Sequence, residues 1–258
     1  MHVIVTRPQQ DALAWARELM AAGHLTTVLP LIQIASASDT QPLLTAWHQL
    51  DQYRGVMFVS RHAVEGFFAV RPSAAPGFSA STHAWATGPG TQAALLRAGV
   101  ASPCIDSPET GQFDSEALWA TMRTQVDTGC RVLIVRGGDS QLSSQPQGLG
   151  RDWFAAQVQK VGGQTEFVVA YQRQIPRWNE GQRALAKAAA SNGSIWLFSS
   201  SEAVANLGAC LAGQDWGQAC AIATHARVAL AARHAGFGSV RESRPVLADI
   251  LASIKSFQ

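Results

Sequence analysis

The chain is short of charge. Asp, Glu, Lys and Arg make up 15% of its 258 residues and leave a formal net charge of +2, against about 25% charged residues in an average soluble domain. Its Lys and Arg residues are scattered, so no basic face argues for nucleic acid or a membrane surface. The balance suits a small anionic molecule met by a few local cations. Cysteine is scarce as well. Cys104, Cys130, Cys210 and Cys220 show no CxxC spacing and no companion histidine, which excludes a zinc ribbon or a dithiol redox pair and fits free thiols in a reducing compartment. No apolar run approaches the ~18 residues of a membrane span. The opening MHVIVTRP enters a strand without a basic and then apolar leader, so a cytoplasmic protein is expected. Nucleophile elbow, phosphate-binding Walker loop and metal-ligand histidine spacing are all missing.

What is present is ample core material. Hydrophobic residues reach 47%, too many for a disordered chain, and the length fits one large domain or two of ~100–150 residues. Residues 3–6 (VIVT) read as a buried parallel strand. Residues 10–22 read as a helix with Leu13, Ala16, Leu19 and Met20 on one face, stopped by Gly23, and 26–32 as the next strand. Residues 34–42 (IASASDTQP) and 172–181 (QRQIPRWNEG) read as linkers. Further strands are expected at 56–59, 85–87, 131–135, 166–171, 194–198 and 220–223, with helices between them and a closing helix at 246–257. Such alternation specifies parallel sheets in a doubly wound α/β fold. The order repeats: FVSRHAV at 58–64 matches FSSSEAV at 198–204, an offset of 198 − 58 = 140, and VIV before Arg7 matches LIV before Arg136. Two similar halves follow one another.

Parallel sheets take ligands at the C-terminal ends of their strands. The polar residues expected there are Thr6 and Arg7, Ser60 and Arg61, Gly88 and Thr91, Arg136 and Gly137, Tyr171, Ser199 and Ser200, and Thr224. Several open helices, whose free N–H groups and dipole suit a carboxylate or phosphate. The same hydroxyls serve equally well as simple helix caps. Gly88-x-Gly90-x-x-Ala93 matches the dinucleotide-loop pattern, with Asp106 near the acidic spacing. Its strand is short, follows a loop rather than beginning a βαβ unit, and carries Pro89 in the turn, so that reading is set aside. His62 and His225 sit in the same loops. Hydroxyls, backbone donors and Arg without a carboxylate pair point to catalysis by positioning and charge stabilisation.

Taken in order, VIVTRP, GHLTTVLPLIQI, FVSRHAV, TGPGTQAAL, DSEAL, VLIVRGG, YQR and FSSSEAV resemble uroporphyrinogen-III synthase, from residue 3 to about 237. The resemblance implies two doubly wound, parallel-sheet α/β domains (flavodoxin-like, HemD-type) joined by two extended linkers. One would comprise 1–35 plus 173–258 and the other 36–172, the halves exchanging their opening units. It implies a hydro-lyase of tetrapyrrole (haem) biosynthesis that converts hydroxymethylbilane to uroporphyrinogen III. Water is lost, ring D is inverted through a spiro intermediate and the macrocycle closes, with no metal or organic cofactor. The expected partner is this small molecule alone, met by a monomer, with room for a transient hand-over from hydroxymethylbilane synthase. Tyr171 matches the family tyrosine proposed to assist the leaving hydroxyl. Thr91 matches a threonine of the glycine loop, and Ser60 and Ser200 match paired strand-end hydroxyls. Arg7 and Arg136 stand as carboxylate partners, and Arg61, Gly88, Gly137, Ser199 and Thr224 complete the substrate-binding set. One turn departs from the family pattern: 223–227 reads ATHAR where a glycine–proline turn before Thr-Ala is usual, so Thr224 would supply its hydroxyl from another position. The alternative reading is a non-catalytic binding module of periplasmic-binding-protein type for an anionic ligand, a class that usually carries a secretion signal or a DNA-binding head.

Overall fold

A computed structural model describes residues 1–108, 114–138 and 149–257. In chain order the elements are β1 (His2–Val5), α1 (Gln9–Ala21), β2 (Leu25–Val28), β3 (Gln33–Ser36), α2 (Gln41–His48), β4 (Gly55–Phe58), α3 (Arg61–Ala69), β5 (His83–Ala86), α4 (Pro89–Arg97) and β6 (Ile105–Asp106). They continue with α5 (Ser115–Met122), β7 (Arg131–Gly138), α6 (Leu149–Lys160), β8 (Gln164–Gln174), α7 (Glu180–Ala189), β9 (Ile195–Phe198), α8 (Ser201–Cys210), β10 (Cys220–Ala223), α9 (Ala226–His234), β11 (Ser239–Glu242) and α10 (Leu247–Lys255). The chain forms two compact units, Met1–Gln33 with Gln174–Gln258, and Ile34–Arg173. Among the described residues no helix is long and apolar enough to cross a membrane.

The first unit holds a sheet of order β2-β1-β9-β10-β11, with every neighbouring pair parallel. Counted along the chain this is the 2-1-3-4-5 order of a flavodoxin-like sheet. Its central strands are buried on both faces, which is why they are continuous apolar runs. The second unit holds the order β3-β8-β7-β4-β5-β6, parallel from β8 to β6. Without β3 it is the same sheet, with β8, β7, β4, β5 and β6 where the first has β2, β1, β9, β10 and β11. The chain reaches β4 to β6 first and β7 and β8 afterwards. The sequence repeats fall on equivalent strands, since 58–64 spans the end of β4 and 198–204 the end of β9. Phe58 and Phe198, the first residues of the repeat, each anchor an aromatic cluster. One contains Trp47, Phe67 and Phe78, the other Trp196 and Phe237.

The structure differs from the sequence reading at the supposed linkers. Ile34, Ala35 and Ser36 lie in β3, an edge strand beside β8, and β8 itself continues through Gln172 and Arg173 to Gln174. Small polar residues are tolerated there because ladder hydrogen bonds to the neighbour, rather than side-chain propensity, hold a strand at a sheet edge. The strand expected at 26–32 stops at Val28, where Pro30 removes a donor. The half-polar edge strand β11 and the two-residue β6 carry too few apolar residues to be read from pattern.

At the N-terminal end of the first sheet, a chain of hydrogen bonds crosses three segments. Ser194 Oγ donates to Asn192 Oδ1 at 2.6 Å, and so receives the proton of His2 Nδ1 at 2.9 Å. His2 Nε2 lies 2.8 Å from Thr27 Oγ1 and accepts from it when the ring is neutral. Burial, aided by the Met1 ammonium, lowers the His2 pKa from 6.5. The unfolded chain therefore takes up this proton first as pH falls, so the contribution is complete above 6.5 and is lost below it. The urea midpoint is expected to fall between about pH 7.5 and about pH 5.5, and His2→Asn to flatten part of that slope. An identical slope in the variant contradicts the assignment.

Candidate active site

In a sheet of this order the strand direction of growth reverses between β1 and β9, and in the second unit between β7 and β4, which opens a crevice at those C-terminal ends. Of the residues singled out from sequence, Thr6, Arg7, Ser199 and Ser200 lie at this point in the first unit and Ser60, Arg61, Arg136 and Gly137 in the second, whereas Gly88, Thr91, Tyr171 and Thr224 lie on or follow the strands β5, β8 and β10 beside them. In the first unit, Thr6 is fully buried and its hydroxyl donates to the Leu197 carbonyl at 2.7 Å, so it ties β1 to β9. Arg7 follows, its guanidinium carbon 4.8 Å from the Trp15 ring centre. Burial pulls the Arg7 pKa below its usual range, and Asp11 partly offsets this. In the second unit Arg136, at the equivalent position on β7, stacks on Phe167 at the same 4.8 Å. An aromatic shelf under a guanidinium leaves its nitrogen edge to meet a planar carboxylate.

The serines are equivalent too. Ser60 caps α3, its Oγ accepting from Ala63 N at 3.2 Å, and Ser200 caps α8, accepting from Glu202 N at 3.2 Å. Ser199 and Arg61 flank these caps, half-buried. Gly88 is the cap residue of α4, with no side chain to offer. Thr91 lies in the first turn of that helix and is only 5% exposed. After β10 the cap is His225, whose Nδ1 accepts from Arg227 N at 3.1 Å. Thr224, half-buried, bonds Phe198 O through its backbone N–H at 3.0 Å. The histidine thus takes the role a glycine–proline turn leaves to backbone. The dinucleotide pattern at Gly88 does begin a parallel βαβ unit, β5-α4-β6, contrary to expectation. Asp106, however, is paired to His83 Nδ1 at 2.7 Å.

Tyr171 lies near the end of β8. Its phenol is 3.2 Å from Ser60 Oγ, its ring sits against Gly137 of β7, and the His62 ring centre is 5.6 Å away. It is 5% exposed. A cavity of about 280 Å³ opens beside it within the second unit, lined by Ile34, Leu43, His62, Gly66 and Tyr171 among others. Ser60, Gly137 and Tyr171 are thus brought together around one oxygen. Ser60 has two acceptor lone pairs and one proton. With one lone pair taken by Ala63 N–H, its proton is free to go to the phenol oxygen, leaving the phenol O–H to point elsewhere. The positive end of α3 lies behind the pair and favours negative charge on that oxygen. Sequence reasoning named Tyr171 and Ser60 but missed Gly66, which packs beneath the backbone of Ala170. A lone glycine inside a helical pattern was the available signal.

A family model described as uroporphyrinogen-III synthase HemD matches residues 14–252. Among solved structures, uroporphyrinogen-III synthetase from Helicobacter pylori aligns over 100% of this chain and 100% of its own, at 14% identity and a TM-score of 0.60. A mutant uroporphyrinogen III synthase from the extremely thermophilic bacterium Thermus thermophilus aligns over 100% and 98%, at 13% identity and a TM-score of 0.55. At these identities the likeness bears on the fold.

The caps give a test that needs no ligand. Ser60→Ala and Ser200→Ala are each expected to lower stability by about 1 kcal/mol in urea unfolding, through loss of a helix cap. Two unchanged midpoints would remove both hydroxyls from that role.

Proposed function

The chain belongs to the uroporphyrinogen-III synthase family, and from that premise we propose that it is a hydro-lyase that cyclises hydroxymethylbilane to uroporphyrinogen III, with Tyr171 assisting departure of the hydroxyl. The observation that carries the residue assignment is the contact of the Tyr171 oxygen with Ser60 Oγ, which itself accepts from Ala63 N–H at the start of α3. In the reaction the bond between the hydroxymethyl carbon and its oxygen breaks. The oxygen takes a proton from the phenol and leaves as water, and the positive carbon left behind is conjugated with its pyrrole. Ser60 donates to the phenol oxygen as that oxygen gains charge, and the end of the α3 dipole favours the same change. Ring D then bonds to that positive carbon through its substituted carbon, forming the spiro intermediate; the older bond from that ring carbon to the methylene bridging to ring C breaks, the freed methylene bonds to the unsubstituted α-carbon of ring D, and loss of the proton on this carbon restores the pyrrole.

The substrate carries eight carboxylates in this reading. Arg7 and Arg136 on their aromatic shelves, with Arg61 beside Ser60, supply cations of the right shape. Gly88, Thr91, Ser199, Ser200 and Thr224 contribute backbone or hydroxyl donors near strand ends, and Gly137 leaves room for the Tyr171 ring. The two compact units serve as the two domains. The reading also has the protein as a cytoplasmic monomer, with hydroxymethylbilane passed on by the synthase that makes it, and asks for no cofactor. No observation favours the binding-module alternative.

Wild-type protein is expected to turn hydroxymethylbilane into the type III isomer, and Tyr171→Phe to do so about 100-fold more slowly, the lower range for loss of a general acid. The melting temperature should hold within a few degrees. A variant as fast as wild type removes Tyr171 from the chemistry, and a wild type that yields only the type I isomer of spontaneous closure removes the activity itself.

A further inference from the structure

Strand β8 does not keep its alternation. Phe167 is exposed, Val168 buried, Val169 half-buried, and then Ala170 and Tyr171 are both buried. The cause is a bulge. Arg136 pairs with Val169 but Gly137 pairs with Tyr171, so Ala170 has no partner in β7. In an unbroken strand Tyr171 shares the face of Phe167 and Val169. The extra residue turns it to the other face, where it joins Val168 and Ala170 in the core with Val64 and Phe67 of α3. A sheet of this order closes without such a device, since β1 and β2 stay in register over all four of their pairs.

Two glycines fit this bulge. The Ala170 carbonyl rises against α3 at Gly66, where a Cβ would collide with the carbonyl oxygen. On the other side a Cβ on Gly137 would lie 2.6 Å from Tyr171 Cζ and 2.9 Å from its oxygen. One glycine sets how closely the bulge approaches the helix, and the other sets how deeply the ring lies over β7. Both distances bear on the 3.2 Å contact with Ser60, which sits at the start of the same α3.

We propose that Gly66 and Gly137 are positioning residues for the Tyr171 phenol, acting through the bulge at Ala170. The claim rests on the assignment of Tyr171 to the leaving hydroxyl. A misplacement of about 1 Å at a reacting group costs on the order of 100-fold in rate, while substrate binding through distant carboxylate contacts is untouched.

The test is a double-mutant cycle with an internal spectroscopic control. Gly66→Ala and Gly137→Ala are made alone and on Tyr171→Phe, and formation of the type III isomer from hydroxymethylbilane is followed. Each single glycine variant is expected to lose about 100-fold in kcat with KM within about twofold. On Tyr171→Phe the same change is expected to cost less than about threefold more, because the group it positions is gone. The chain has two tyrosines, so ring-labelled tyrosine gives two NMR signals. Tyr53 is held by Glu166 at 2.8 Å and by Arg131 stacked on its ring at the opposite end of β7 and β8, and serves as the control. The Tyr171 signal should move in both glycine variants while that of Tyr53 stays. Fully additive losses, an unmoved Tyr171 signal, or a raised KM with unchanged kcat overturns the proposal. If Gly66→Ala fails to fold and loses both signals, Gly137→Ala decides alone, because its clash is with a movable ring. If wild type makes no type III isomer, the functional reading falls, and an unmoved Tyr171 signal still overturns the positioning claim by itself.

Discussion

The pairing of β1 with β9 is the constraint from which the architecture follows. Val3 faces Ile195, Ile4 faces Trp196 and Val5 faces Leu197, partners 195 − 3 = 192 residues apart. Thr6 closes the end of that ladder with its bond to the Leu197 carbonyl. Long-range parallel pairing is costly in chain entropy and slow to form, and a compact unit folded from the intervening chain shortens the loop that must close. The first unit is therefore discontinuous, and the chain must leave it and return, at 33/34 and 173/174. Both passages run through strands, β3 and β8, that neighbour each other in the second sheet. Tyr171 stands on the return strand just before the second passage.

Repeating one sheet order twice repeats the polar groups at its strand ends. Each unit presents a capping serine after one central strand and an arginine on an aromatic shelf after the other, Ser200 and Arg7 in the first, Ser60 and Arg136 in the second. Such donors suit carboxylates and act by charge and position. What the first unit lacks among its described residues is a phenol, because both tyrosines, Tyr53 and Tyr171, lie in the second. The asymmetry comes from one extra residue in β8 and from the glycines that accommodate it. Of the two similar sheets, only the second thereby carries a phenol near a strand end.

Much of this is legible in the sequence because buried parallel strands are apolar runs and their helices are amphipathic. The repeat between 58–64 and 198–204 also marks two strands that prove equivalent in sheet order. The crossings were not legible, because IASASDTQP looks like a linker and only the hydrogen bonds of a neighbouring strand make part of it β3. The polar residues at strand ends were legible, yet pattern alone does not tell a cap from a ligand contact. Ser60 and Ser200 are caps in the structure, and His225 rather than Thr224 caps its helix. The bulge was invisible, since Val-Val-Ala-Tyr reads as four alternating positions and nothing local says that Ala170 has no partner.

The most direct measurement follows atoms through the reaction. Hydroxymethylbilane carrying ¹³C at its hydroxymethyl carbon and at the ring D carbon that joins the chain is given to the protein. Inversion of ring D bonds these two carbons together, so the account predicts a one-bond ¹³C–¹³C coupling between them in the product. A macrocycle in which that coupling is missing has closed without inversion and contradicts the account.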